Sequence, residues 1–316
     1  RVSVTDRCDL RCVYCMKEKM QFLPRKDILT LEEIERICDN FIDLGVEKIR
    51  LTGGEPLVRS DILKLIEKLN NKKNFTNLKE ITLTTNGTLL KKYAKELKLN
   101  GVDRINVSLD TINSEKYNII TRFGNIEKVF DGINEALDAD IKIKINTVVI
   151  KDFNENEIED LIEWTDKKKI DLTFIEVMPM EETDISREYQ FVSLSETFEK
   201  LNQKYNFLIS NHNTGGPARY YTSNLLSTKI GFISPLTNNF CATCNRVRIS
   251  STGKLFMCLG QNDYVDFREI MRKDFSDDYI KEKIRFALNI KPKNHDFMIG
   301  TKINKYMKRH MNVTGG

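Results

Sequence analysis

Residues 48–56 read Lys48-Ile49-Arg50-Leu51-Thr52-Gly53-Gly54-Glu55-Pro56, a strand of alternating polar and apolar side chains that breaks at two glycines. In an extended strand Lys48, Arg50 and Thr52 share one face, and Ile49 and Leu51 the other. The alternation returns in Thr82, Thr84 and Asn86, in Asn106, Ser108 and Asp110, and in Lys142, Lys144 and Asn146. Segments 2–5, 48–53, 80–86, 104–110, 142–150 and 171–178 read as strands. Helical periodicity falls between them at 31–44, 61–69, 91–99, 126–137 and 156–168. Thr30 with Glu33 offers a capping box for the first helix.

Strand–helix alternation predicts an α/β fold: a partial parallel β/α barrel of about six units, with right-handed crossovers. A doubly wound open sheet is the alternative. Parallel strands buried on both faces read as continuous apolar runs, and these do not. Their apolar faces pack against helices, so their polar faces point into the barrel. An interior of Lys, Arg, Thr, Asn and Ser is stable only around a polar, anionic ligand; a sheet with one solvated face is the competing reading.

The chain has 316 residues, 40% hydrophobic and 30% charged, with a formal net charge of +4. No apolar run approaches the roughly 18 residues of a membrane helix, and so small a net charge argues for neither a nucleic-acid nor a membrane partner. The chain starts at Arg1, which leaves room for a preceding segment. After residue 180 the rhythm changes. An acidic stretch at 181–187 precedes a helix opened by Ser193 and Glu196, Gly- and Asn-rich turns at 211–216, and strand-like pieces at 229–233 and 247–250. A charged, helical tail over 281–311 ends in Gly315-Gly316. A boundary near 225 divides a barrel domain, 1–225, from a smaller C-terminal domain, 226–316, that closes the barrel's open side.

Seven cysteines form two triplets and one outlier. Cys38 reads as a buried apolar residue of the first helix. Cys8, Cys12 and Cys15 have the spacing C-x3-C-x2-C directly after the first strand. Three thiolates on one loop can ligate three irons of a cubane cluster and leave the fourth open. Zinc motifs normally come as paired CxxC or with histidines, and His212, His295 and His310 lie far off in sequence; a zinc site short of one ligand or a redox thiol group is the alternative. Cys241, Cys244 and Cys258, spaced C-x2-C-x13-C, again supply three ligands, with a structural zinc ribbon as the alternative. Arg246 and Arg248 follow two apart and, in an extended segment, point the same way. With Lys48, Arg50 and Lys144 they make a phosphate-binding surround. Triplets of this kind place the chain in a reducing compartment, the cytoplasm.

The C-x3-C-x2-C loop, followed one strand–helix unit later by Gly53-Gly54-Glu55-Pro56, resembles the radical S-adenosylmethionine (SAM) enzymes. The resemblance implies that Cys8, Cys12 and Cys15 hold a [4Fe-4S] cluster whose open iron chelates SAM. Tyr14 would lie near its adenine, Gly53, Gly54 and Glu55 at its amino group, and Ser108 and Met178 at further contacts. The stretches Ser3-Val4-Thr5-Asp6-Arg7-Cys8, Thr84-Thr85-Asn86-Gly87, Asn106-Val107-Ser108-Leu109-Asp110 and Phe240-Cys241-Ala242-Thr243-Cys244-Asn245-Arg246, with the double-glycine end, narrow it to the GTP 3′,8-cyclase family of molybdenum cofactor biosynthesis.

That family resemblance implies a second [4Fe-4S] cluster on Cys241, Cys244 and Cys258, with its open iron facing guanine. GTP would be surrounded by Arg1, Lys48, Arg50, Thr84, Lys144, Arg246, Val247 and Arg248, and the Gly315-Gly316 tail would reach towards the site. SAM cleavage would yield a radical that takes the 3′ hydrogen of GTP, and the ribose would then close on C8 of guanine, with no separate side-chain base. The implied partners are a flavodoxin- or ferredoxin-like electron donor and a downstream cyclic pyranopterin monophosphate synthase, and a homodimer is expected. Two residues depart from the family pattern: Thr173, where an arginine is usual, and Thr314, where isoleucine is usual. A peptide-modifying two-cluster enzyme would carry more cysteines and lack the basic face. A non-catalytic iron–sulfur or zinc protein would leave the polar interior unexplained.

Overall fold

A computed structural model describes residues 1–178, 190–295 and 311–315. Strands β1 (Val2–Ser3), β2 (Lys48–Thr52), β3 (Glu80–Thr85), β4 (Arg104–Ser108), β5 (Lys142–Val149) and β6 (Asp171–Glu176) carry the first half of the sheet. They pair in parallel and in chain order. Between them run α1 (Leu31–Asp43), α2 (Ile62–Lys72), α3 (Leu90–Leu99), α4 (Ser114–Thr121), α5 (Ile126–Asp138) and α6 (Ile158–Lys167). The capping box of α1 is present, the Thr30 side chain accepting from Glu33 N and the Glu33 side chain from the Thr30 N–H. Helix α4 is the one element of this half that periodicity does not announce. It is short, and its start rests on the Asn113 side chain, which accepts from Glu115 N and Lys116 N.

Beyond α7 (Leu194–Tyr205), capped as expected by Ser193, lie β7 (Leu208–Ile209), β8 (Arg219–Thr222), β9 (Ile230–Ile233), β10 (Arg248–Ile249), β11 (Lys254–Phe256) and β12 (Tyr264–Asp266). Helices α8 (Phe267–Arg272), α9 (Asp277–Asn289) and the single turn α10 (Met311–Thr314) complete the described chain. The late strands join the parallel sheet at both edges. β9 pairs with β6 and carries β8 and β7, while β10 pairs with β1 and carries β11 and β12. The result is one open, 12-stranded sheet. The expected acidic stretch at 181–187, residues 296–310 of the tail and Gly316 lie outside the described residues.

The apolar faces of β2 to β5, among them Ile49, Leu51, Ile81, Leu83, Ile105, Val107 and Ile145, pack with Ile34, Ile37, Cys38, Ile66, Leu97, Ile133 and Leu161 of the surrounding helices. The other face is polar and in register. Arg50 stands beside Thr82 and Thr82 beside Arg104. Thr84 aligns with Asn106, Asn106 with Lys144, and Lys144 with Asp171. Ser108 aligns with Asn146, Asn146 with Thr173, and Thr173 with Gly231.

Glu176, fully buried at the end of β6, ties the two halves together. Its carboxylate accepts from Leu194 N at 3.2 Å, Leu236 N at 2.9 Å, Thr237 N at 3.3 Å and the Thr237 hydroxyl. Removing it strands three N–H donors, that of Leu194 buried and those of Leu236 and Thr237 part-buried. Glu176→Ala should therefore destabilise the apo-protein by at least about 3 kcal/mol, read as a lowered urea midpoint, with Glu176→Gln recovering most of the loss.

Candidate active site at the open end of the barrel

The loop carrying Cys8, Cys12 and Cys15 is gripped from two sides. On one, Gly54 N donates to Thr5 O and Glu55 N to Arg7 O, each at 2.8 Å. A Cβ at Gly53 would sit 2.6 Å from Thr5 O, and one at Gly54 2.3 Å from Arg7 O, so neither position admits a side chain. On the other, Arg11 N donates to Thr121 O at 3.1 Å and Val13 N to Ile120 O at 2.9 Å, which joins the loop to the end of α4. The three thiols are half-buried. Burial pushes the Cys12 thiol up, and the neighbouring Cys15 and Cys8 push it further. Thiols so placed shed their protons only against strong positive charge, which is what iron supplies.

Glu55 does not wall the cavity. Its buried carboxylate accepts from Leu57 N (3.0 Å), the Thr85 hydroxyl (2.8 Å) and Asn86 N (2.8 Å). Burial nevertheless pushes it up to about 7. It fixes the glycine turn against the end of β3. The Tyr14 hydroxyl donates to Asp110 Oδ2 at 2.6 Å, and Val148 N holds Oδ1 of the same carboxylate at 2.8 Å. Burial raises Asp110 to about 6.

Cys241 and Cys244 bracket a short turn, with Cys244 N donating to Cys241 O at 3.1 Å, and Cys258 follows β11. Burial works to raise the Cys244 thiol, but the charge and hydrogen bonds of Arg246 and the charge of Lys291 outweigh it and hold the thiol below its ordinary value. The Arg246 guanidinium lies 3.3 Å from Cys244 Sγ. Among the described residues no three His, Cys, Asp or Glu side chains form a ready single-ion site.

One cavity of about 270 Å³ has both triplets in its wall, together with Tyr14, Gly53, Gly54, Thr84, Ser108, Met178, Arg1, Arg246 and Arg248. A second, of about 610 Å³, is lined by Arg1, Lys48, Arg50, Arg246 and Val247. Arg1 and Arg246 belong to both, so the two spaces adjoin. Lys144 lines neither. It is buried beneath them, with Nζ 3.2 Å from the Tyr220 hydroxyl. Its ammonium is held well below its ordinary range by burial and by Arg50, Arg104 and Arg1.

Arg104 and Glu80 complete this charged interior, and Tyr220 adds a hydroxyl. Sequence reading missed all three as site residues. Arg104 was legible, since it alternates with Asn106 and Ser108; Tyr220 reaches Lys144 from a distant strand without local signal. Arg104 donates to Asn106 Oδ1 at 2.8 Å and pairs with Glu80 at 3.2 Å, and Lys48 makes an ion pair with the same carboxylate. Burial works to raise Glu80, but these two cations hold it below its usual value.

Thr84 Oγ1, Asn106 Nδ2, Asn146 Oδ1 and Thr173 Oγ1 are buried without a hydrogen-bond partner. Each would cost about 1–3 kcal/mol unless a ligand satisfies it. The tail does reach the site: Arg248 donates to Gly315 O at 2.5 Å, and a Cβ at Gly315 would meet Thr52 Cγ2 at 2.3 Å. Thr314 is fully buried beside it. The thiol sets, the glycine cradle and the unpartnered polar atoms together fit two iron–sulfur clusters, SAM and an anionic substrate.

Gly54→Ala should push the cysteine loop off β2 while leaving the second triplet untouched. Anaerobically reconstituted protein is expected to carry about four irons per chain in place of about eight; full iron content would show that the cradle tolerates a side chain.

The radical SAM superfamily model matches residues 2–165, and the Molybdenum Cofactor Synthesis C model residues 170–297. GTP 3′,8-cyclases of Brucella ovis and Brucella abortus are each 50% identical to this chain over 317 aligned positions, spanning 100% of it and 92% of their own length. Among solved structures, Streptococcus suis SuiB aligns with a TM-score of 0.62 at 18% identity, over 85% of this chain and 62% of its own. The anSMEcpe structure with bound AdoMet and the Cp18Cys peptide aligns at 0.51 with 22% identity, over 65% of this chain and 58% of its own. These two show the fold, and the curated relatives show the family: the chain belongs to the radical SAM superfamily and, within it, to the GTP 3′,8-cyclase family.

Proposed function

We propose that this chain cyclises GTP to (8S)-3′,8-cyclo-7,8-dihydroguanosine 5′-triphosphate, an early step of molybdenum cofactor biosynthesis. The observation that carries the reading is one cavity with both cysteine triplets in its wall, adjoining a basic space lined by Arg1, Lys48, Arg50 and Arg246. When bound, the two [4Fe-4S] clusters and SAM supply the one-electron chemistry and the open iron that the substrate base meets.

The chain's own residues supply geometry and charge. Cys8, Cys12 and Cys15 hold the first cluster, and Cys241, Cys244 and Cys258 the second. The backbone of Gly53 and Gly54 receives the amino acid end of SAM, and Glu55 keeps that backbone in place. Tyr14, its hydroxyl fixed by Asp110, presents its ring to the adenine, with Ser108 and Met178 completing the contact. Arg1, Lys48, Arg50 and Arg248 hold the triphosphate, with Thr84, the Val247 backbone and, from the buried interior, Lys144 beside it. Arg246 stands where both cavities meet, orienting the nucleotide with its base towards Cys244 and its phosphates behind.

The reading includes a low-potential, flavodoxin- or ferredoxin-like electron carrier. It also includes transfer of product to a cyclic pyranopterin monophosphate synthase, a cytoplasmic setting and a homodimer, which rest on family membership alone. No helix among the described residues is long and apolar enough to cross a membrane.

The decisive assay is anaerobic incubation of the reconstituted protein with SAM, dithionite and each nucleotide in turn. GTP should accelerate 5′-deoxyadenosine formation, and an unchanged rate overturns the assignment. Arg246→Ala should weaken GTP binding about tenfold to a hundredfold through one lost charge-assisted contact, with iron content unchanged. Lys48 gives a pH test. Burial lowers its ammonium to about 8, with Arg104 and Arg50 pushing the same way and Glu80 opposing. The cation is therefore present below that pH and lost above it. GTP affinity should fall as pH rises through about 8, and Lys48→Arg, charged throughout, should flatten the fall; parallel profiles would remove Lys48 from the phosphate site.

A further inference from the structure

Residues 7–26 contain six basic side chains, Arg7, Arg11, Lys17, Lys19, Arg25 and Lys26, and two acidic ones, Asp9 and Glu18. That segment carries a net +4, the whole chain's formal charge, so the remaining residues sum to zero. Arg7, Lys17, Lys19, Arg25 and Lys26 are exposed. With Asp9 and Glu18 also exposed, the surface of the loop that carries the first cysteine triplet is net positive.

The same surface has an apolar patch. Ile119 and Phe123, at the end of α4, are 63% and 61% exposed. They flank the residues that grip the cysteine loop: Ile120 O and Thr121 O receive Val13 N and Arg11 N. Between them Arg122 adopts a left-handed backbone, φ 64°, and its guanidinium donates to Arg11 O at 3.1 Å and Met16 O at 3.3 Å. Lys17 and Phe123 are each one residue from that last contact. The loop so gripped carries the half-buried thiols of Cys8, Cys12 and Cys15.

We propose that Ile119 and Phe123, rimmed by Lys17 and Lys19, form the docking surface for a small acidic one-electron carrier protein. The proposal rests on the radical SAM reading above and names the partner of that site. An apolar centre with a charged rim is the anatomy of a protein interface, and electron-transfer encounters use small ones. The charge steers an acidic partner to the loop that carries the first triplet. The carrier gives up one electron and is oxidised by one; the first cluster takes it up, and no proton need cross the interface.

The test uses the anaerobically reconstituted full chain, a reduced flavodoxin as probe and dithionite as a small-molecule control. Lys17→Glu/Lys19→Glu and Phe123→Ser are compared with Lys92→Glu/Lys95→Glu, the same charge change on α3. Kd is measured by anaerobic calorimetry and electron transfer by stopped-flow oxidation of the flavin. Both Lys17→Glu/Lys19→Glu and Phe123→Ser should weaken flavodoxin binding and slow transfer about tenfold. The salt dependence of the rate should shrink in the charge-reversed variant. The α3 variant should stay within about twofold of the parent, and dithionite should reduce all four proteins alike. Equal losses in the Lys17/Lys19 and α3 variants, or no loss in the former, overturn the docking site. A parent chain that turns over with dithionite but neither binds nor oxidises flavodoxin overturns the carrier while sparing the enzyme. Failure with dithionite as well overturns the radical SAM reading itself.

Discussion

The burial of like charge inside the barrel is the constraint on which the rest of the structure depends. Arg50 and Lys144 face the interior almost without solvent, and Glu80 is the acidic group that pairs with their neighbours Lys48 and Arg104. Burial, then Arg104, lowers the Arg50 guanidinium to about 10, a displacement worth roughly 3 kcal/mol on its own. Such an interior persists because the opposite faces of the same strands bury a continuous layer of Ile, Leu and Val against the helices. Apolar packing on one face holds an electrostatically unfavourable chamber on the other, and an anion entering it relieves the repulsion. The affinity for a polyphosphate is thus set up before any ligand arrives.

A single parallel pairing sets the relation between the two cysteine triplets. β1 leads straight into Cys8, while β10 lies between Cys244 and Cys258, and β1 pairs with β10 at Val2 and Ile249. Arg1 O accepts from Ile249 N at 2.9 Å. The two triplets therefore lie on segments that flank adjacent strands, although more than two hundred residues separate them. The last turn reinforces the arrangement, with Asn312 Nδ2 donating to Asp6 O at 2.9 Å and Arg248 holding Gly315. A tail that reaches the rim thereby clamps the strands that carry both sites.

The strand alternation in 48–52 and its repeats made the barrel legible, because period-two polarity can be read within a few residues. The cysteine spacings were legible for the same reason. Pairings between distant strands left no such trace. That β9 extends β6, or that Tyr220 meets Lys144, depends on contacts made only after the sheet assembles. Helix α4 escaped notice because its sides differ little in polarity, yet its carbonyls hold the cysteine loop. Glu55 was legible as a residue of the site, but not its bonds within the fold. A carboxylate beside two glycines reads as a ligand for an ammonium group, whereas its oxygens are bonded to Leu57 N, Asn86 N and Thr85.

Thr173 shows how one departure redistributes such a chamber. It is fully buried, aligned with Asn146 on one side and Gly231 on the other, and its hydroxyl has no partner. With no arginine there, β6 faces the interior with Thr173 and, a layer below, Asp171, so this wall is neutral to acidic. The cations stand instead on β2, β4 and β5, at Arg1 beside β1, and on and before β10. An anion in this chamber is drawn away from β6, towards the space lined by Arg1, Lys48, Arg50 and Arg246.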